Sequence, residues 1–146
     1  MSDLKFSISA SSETACRTIV KTPNFSFIID EPPSLGGTNK GPNPVEYVIG
    51  ALAGCLTVVT HLVAKEMGIE MRGIKIDIEG DLNPGKFSGA STEGRAGYHE
   101  IRVSLRPDCD ADQDTLAKWL KTVEERCPVS DNLANPTPVK ITISGS

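Results

Sequence analysis

The chain has 146 residues, 38% of them apolar, with 13 glycines, 10 prolines and four cysteines, and 15 basic against 19 acidic residues leave it a net charge of −4. Such a length buries most of its unfolded surface in a single domain, 1–146, without a disulfide or metal staple, and the composition excludes disordered, collagenous and fibrous classes. The acidic balance, with no Lys/Arg run, argues against a nucleic-acid or anionic-membrane partner.

The N-terminus, Met1-Ser-Asp-Leu-Lys-Phe6, has neither the basic nor the apolar region of a signal peptide. Leu4 to Ser9 alternates apolar and polar residues and predicts a strand. Ala15 to Lys21 and Phe25 to Asp30 are β-prone and predict two more, separated by a turn at Pro23-Asn24. In the segment from Glu31 to Pro44, seven of 14 residues are Gly or Pro, which makes it a loop, and at that length one with a function. Asn43 followed by Pro44 marks a helix start, and Gly68 marks its stop. The stretch from Tyr47 to Ala64 is apolar enough to be marginal as a membrane span. Its Thr57, Thr60 and His61, with Glu46 just before it, make a buried helix the better reading.

Residues placed about 100° apart put Val48, Ala51, Leu52, Cys55, Val59 and Leu62 on one face. The other face holds Glu46, Gly50, Gly54, Thr57, His61 and Ala64, where Gly50-x-x-x-Gly54 admits a close backbone. This predicts a central helix packed on both sides. Arg72 to Leu82 and Tyr98 to Arg106 alternate and predict a strand pair, joined by a Gly/Ser/Thr-rich loop over 83–96. Asp112 to Arg126 predicts an amphipathic helix, Cys127 to Leu133 a short second helix, and Val139 to Ile143 a closing strand. The order of elements is that of an α+β domain.

None of the four cysteines, Cys16, Cys55, Cys109 and Cys127, forms a Cys-x-x-Cys pair, and they are too scattered for a disulfide scaffold. Without a signal peptide the predicted compartment is the cytoplasm, where thiols stay reduced and a functional cysteine pair is catalytic or redox-sensing. Cys55 lies within the greasy face and could pack there as an inert small hydrophobe; reactivity would require a cation brought to it by the fold. Cys127 precedes Pro128 and falls near a helix N-cap, where unpaired N–H groups and the dipole favour the thiolate. Local physics therefore ranks Cys127 the better thiolate, against the alternative of a chance cysteine at a helix junction. Cys16 and Cys109 show no partner. Cys55 and His61, six positions apart, point about 120° from one another; neither they nor His99 has metal-ligand spacing, and no metal or cofactor is expected. Gly36-Gly-Thr-Asn-Lys-Gly41 is not a phosphate-binding P-loop, because its lysine precedes the second glycine and no hydroxyl follows.

The run Asp30-Glu-Pro-Pro-Ser-Leu-Gly-Gly-Thr-Asn-Lys-Gly-Pro-Asn-Pro-Val-Glu-Tyr-Val-Ile-Gly-Ala-Leu-Ala-Gly-Cys55-Leu, followed by Arg126-Cys-Pro-Val-Ser130, resembles the OsmC/Ohr family over nearly the whole chain. The resemblance implies an intertwined homodimer whose long central helices lie between antiparallel sheets built from both chains. It also implies a thiol-dependent peroxidase that reduces organic hydroperoxides, with a dihydrolipoyl-type dithiol as reductant. Cys55 would attack the peroxide, Cys127 would resolve, and Arg17 would activate Cys55. In the peroxidase subgroups a glutamate ten residues before the helix cysteine holds that arginine. Here Val45 occupies this position and Glu46 follows it, on the face opposite Cys55, from which it would reach Arg17 only across a dimer. The alternative is a non-catalytic or weakly catalytic OsmC-like protein that binds a small hydrophobic molecule or senses oxidants.

Overall fold

In the computed structural model, which describes residues 1–145, three short strands open the chain. They are β1 (Ser9–Ser12), β2 (Thr18–Lys21) and β3 (Ser26–Ile29), an antiparallel sheet in the order β1-β2-β3. The turn from β2 to β3 is the predicted one: the Thr22 N–H donates to the Phe25 carbonyl at 2.8 Å across Pro23-Asn24. That turn also explains where the first strand departs from expectation. Ser9 pairs with Lys21, the last residue of β2, so residues before Ser9 would face the turn instead of a ladder. Leu4, Phe6 and Ile8 consequently have no regular structure and are 62–87% exposed.

The Gly/Pro loop is built around Asp30, which is fully buried. Its carboxylate accepts from the Thr38 hydroxyl (2.6 Å) and from the backbone N–H groups of Glu31 (2.8 Å), Lys40 (3.0 Å) and Thr38 (3.3 Å). These donors, the Thr38 hydroxyl foremost, hold its pKa well below the usual carboxylate range. A 3₁₀ turn at Pro33–Leu35 closes on Gly36, whose φ of 87° suits glycine. A side chain at Gly37 would collide with the Glu31 carbonyl.

Helix α1 (Pro44–Glu66) starts as predicted. Asn43 caps it by accepting from the Glu46 N–H at 2.8 Å, and Glu46 reaches back to the Asn43 N–H at 3.2 Å, a complete capping box. At the other end Gly68 has φ 71°, and the Ile69 N–H bonds the Ala64 carbonyl at 2.8 Å. The buried stripe is Leu52, Leu56, Val59, Thr60, Val63 and Ala64. Of the greasy face only Leu52 and Val59 are buried and Cys55 half-buried, Val48, Ala51 and Leu62 are exposed, and Ala64 of the opposite face is inside, so α1 is not covered on both sides within the chain as predicted. Because α1 is apolar on most sides, the elements packed against it select its buried face, and these are remote in sequence.

Strands β4 (Gly73–Leu82) and β5 (Tyr98–Asp108) form an antiparallel pair, with Ile76 opposite Leu105 and Ile78 opposite Val103. One face presents Ile74, Ile76, Ile78, Ile101 and Leu105 to the core. The other is charged: Arg102 bonds Glu79, Asp81 and Glu100, and Arg106 pairs with Asp77. Helix α2 (Gln113–Arg126) is capped by Asp112, and α3 (Pro128–Ala134) follows after Cys127. The predicted closing strand does not form: Val139, Ile141 and Ile143 lie outside regular structure and are 79–102% exposed.

The chain divides into two compact units, Met1–Gly50 and Ala51 onward. The core of the second unit joins Leu52, Leu56, Val59, Val63 and Ala64 of α1 to Trp119, Val123 and Cys127. The Trp119 indole donates to the Thr60 carbonyl at 3.0 Å, so its polar edge is satisfied inside that core. Leu56→Ala should lower the unfolding free energy by about 2–5 kcal/mol, read from urea denaturation, because the void at Leu56 closes only in part.

Candidate active site

The second unit brings two sulfurs together. Cys55 sits on α1, half-buried, one residue before core Leu56. Cys127 lies between α2 and α3, where Pro128 cannot continue the first helix and suits the first position of the second. The backbone of Cys127 is fixed on both sides. Its N–H bonds the Val123 carbonyl at 3.1 Å, and its carbonyl accepts from the Asp131 N–H at 2.9 Å. Its side chain has no exposed surface, and its Sγ stands 3.2 Å from Cys55 Sγ, to which it donates. Both thiols are free.

The predicted cap is present, since Cys127 Sγ accepts from the Ser130 N–H at 3.5 Å. The predicted consequence is not. Burial pushes the Cys127 thiol above its ordinary value, outweighing the Ser130 N–H that pulls it down. Cys127 therefore keeps its proton and offers it to Cys55. The expectation of a Cys127 thiolate is thereby overturned: a helix terminus favours a thiolate only where some solvent remains. Cys55, the acceptor of the pair, is also the less enclosed sulfur.

An open, largely apolar groove of about 500 Å³ lies along this region. Its lining includes Leu52 and Leu56, which flank Cys55 in the chain, and Val123 and Ser130, which flank Cys127.

Arg17 and Glu46 belong to the first unit. Arg17 precedes β2, and its Nε lies 3.5 Å from Glu13 Oε2, an ion-pair separation. That Nε is buried and has no hydrogen-bond acceptor among the described residues. The Glu46 carboxylate is engaged in the capping box with Asn43. Cys16 is half-buried and donates weakly to the Leu35 carbonyl, and Cys109 is half-buried beyond the end of β5. Among the described residues no three His, Cys, Asp or Glu side chains gather as a metal site.

Two features escaped the sequence reading. Asp30 organises the Gly/Pro loop, and its signal was an Asp at the loop's entry with Thr38 and Lys40 downstream. Arg126 and Glu66 form a two-pronged ion pair, at 2.6 and 3.1 Å, across 60 residues. No local signal marks such a distant pair.

An α+β chain with a contacting thiol pair joining its long helix to a Cys-Pro helix junction is the architecture the sequence resemblance implied. Residues 37–142 match the model of the OsmC-like protein family, and the chain belongs to it. It is similar to the uncharacterized protein YmaD of Bacillus subtilis (strain 168), 29% identical over 112 residues, 76% of this chain and 73% of YmaD. It is also similar to a protein of Mycoplasma genitalium named hydroperoxide reductase, 24% identical over 144 residues, 97% of this chain and 96% of that one. The crystal structure of an OsmC-like protein from Mycoplasma pneumoniae superposes with a TM-score of 0.79 at 20% identity, covering 91% of this chain and 89% of that one. The fold is thus OsmC-like, and distant relatives carry the name hydroperoxide reductase.

The upward shift of the Cys127 pKa fixes the sign of an alkaline effect. Above the ordinary thiol value of 9.0 the unfolded chain ionises at Cys127 while the folded chain stays protonated, so stability falls as pH rises. Urea denaturation of reduced protein from about pH 8 to pH 10.5 should show this decline, and Cys127→Ala should remove part of it.

Proposed function

We propose that this protein is a thiol-dependent peroxidase that reduces organic hydroperoxides. The observation that carries the reading is the 3.2 Å contact between the Cys55 and Cys127 sulfurs, from elements far apart in sequence. The hydroperoxide reductase name of a relative supports the reaction class.

In this mechanism the Cys55 thiolate attacks the distal oxygen of the hydroperoxide. An S–O bond forms, the O–O bond breaks, and the alcohol leaves after taking a proton. Cys55 is then a sulfenic acid. The Cys127 sulfur attacks the Cys55 sulfur, hydroxide leaves and takes the Cys127 proton as water, and a Cys55–Cys127 disulfide results. A dihydrolipoyl-type dithiol restores both thiols and is itself oxidised. A protonated Cys127 suits this order, because it leaves the first attack to Cys55 and enters only once Cys55 is electrophilic. Arg17 supplies the activating cation in this reading, with Glu46 as its carboxylate partner across a dimer. The reducing cytoplasm is the compartment in which such a cycle runs.

The assembly we propose is an intertwined homodimer. Two observations support it: the exposed, alternating apolar residues at both ends of the chain, and α1, of whose apolar window only 33% is buried. A second copy would cover both and offer the terminal segments an edge to pair with.

Val45, in place of the glutamate of the peroxidase subgroups, and the apolar groove favour a second reading: a binder of small hydrophobic molecules or an oxidant sensor. Steady-state consumption of cumene hydroperoxide with dihydrolipoamide separates the two. The peroxidase reading expects turnover, its abolition by Cys55→Ser, a single turnover ending in a sulfenic acid in Cys127→Ser, and a Cys55–Cys127 peptide in oxidised wild type. Binding without dithiol-dependent turnover would support the second reading. For the assembly, light scattering should give a dimer mass for wild type, and Ile141→Asp should shift it toward monomer.

A further inference from the structure

Cys55 and Glu66 share a face of α1. They are eleven residues apart, within about 20° of three full turns and about 16 Å along the axis. Arg126 and Cys127 are neighbours at the α2–α3 junction, and each reaches one of these two positions. Cys127 Sγ meets Cys55, while the Arg126 guanidinium bonds both Glu66 carboxylate oxygens, at 2.6 and 3.1 Å. The junction is therefore attached to one face of α1 at two points, three turns apart.

Two points constrain what one does not. A junction held only at its sulfur could pivot about the contact or slide along α1. Trp119, bonded to the Thr60 carbonyl, anchors the body of α2. The last turn, where Cys127 sits, is fixed by the bond beyond it. The guanidinium fork is planar and accepts a carboxylate in one orientation, so it transmits direction as well as attraction. Both side chains are well exposed, 39% and 50%, and exposed ion pairs add little to global stability. The gain from this pair lies in placement. The sulfurs, 3.2 Å apart, need to close only to about 2.0 Å for a disulfide.

We propose that Arg126 and Glu66 are positioning residues for the resolving step, holding the α2–α3 junction so that Cys127 meets Cys55. The proposal rests on the peroxidase reading, in which this disulfide is an intermediate. The clamp raises the effective concentration of one thiol at the other and favours the disulfide at equilibrium and in rate.

The test is the equilibrium of the Cys55–Cys127 dithiol with oxidised glutathione, which takes up two electrons and two protons per disulfide formed. Wild type, Glu66→Gln, Arg126→Lys and the charge swap Glu66→Arg/Arg126→Glu are compared. Both single variants should lower the equilibrium constant for the disulfide by about tenfold, equivalent to about 30 mV. The swap should recover most of it. In 1 M NaCl the wild-type constant should fall toward that of the variants, with no substitution needed. After one equivalent of cumene hydroperoxide, the sulfenic acid should persist longer in the single variants, as read by a dimedone-type trap. Unchanged constants and sulfenic lifetimes in both single variants would overturn the clamp while leaving the peroxidase reading intact. A wild-type protein that forms no Cys55–Cys127 disulfide would overturn both.

Discussion

The chemistry of the second unit depends on the complete burial of one sulfur. Cys127 is wedged between α1, α2 and α3, in one cluster with Leu56, Val63, Trp119 and Val123. Burial makes its ionised form costly. The proton that stays on the sulfur gives it a direction, toward Cys55. Two cysteines that look alike in sequence thereby become unlike in role, one accepting and half-open, the other donating and enclosed. Burial is the foremost cause of this asymmetry, and the neighbouring Cys55 sulfur pushes the Cys127 thiol in the same direction.

The structure treats loop and helix start with the same economy. Asp30 collects four donors from the segment that follows it, so a stretch rich in Gly and Pro keeps a fixed path into Asn43 and the first turn of α1. Glu46 then closes that turn through the capping box. A carboxylate that the family resemblance brought forward as a partner for Arg17 thus has a structural task of its own. An N3 glutamate completes a capping box; its neighbour Val45 cannot.

Much of this was legible from the chain. The start and stop of α1, the alternation of β4 and β5, the Asp112-capped α2 and the Cys-Pro junction all follow from signals within a few residues. What failed was nonlocal. Helix α1, expected to pack on both sides, is covered on only one within the chain, because it is apolar nearly all round and only β4, β5 and α2 decide which side is core. The N-cap does not make Cys127 a thiolate because an N-cap is a local property and burial is a global one. The strands expected at the two ends of the chain do not form: alternation states only that one face wants cover. It does not say that the cover lies in the same chain. The Arg126–Glu66 pair had no local signature at all.

Trp119 is the chain's one tryptophan, and its surroundings make it an instrument. The indole is 3% exposed and tethered to α1 through the Thr60 carbonyl, in the same apolar cluster as Cys127. Val123, a turn along α2, shares that cluster, and its carbonyl receives the Cys127 N–H. A movement of the α2–α3 junction is therefore felt two helical turns back along α2, by a chromophore that is almost wholly buried. Emission from this single side chain should thus report the state of the two sulfurs.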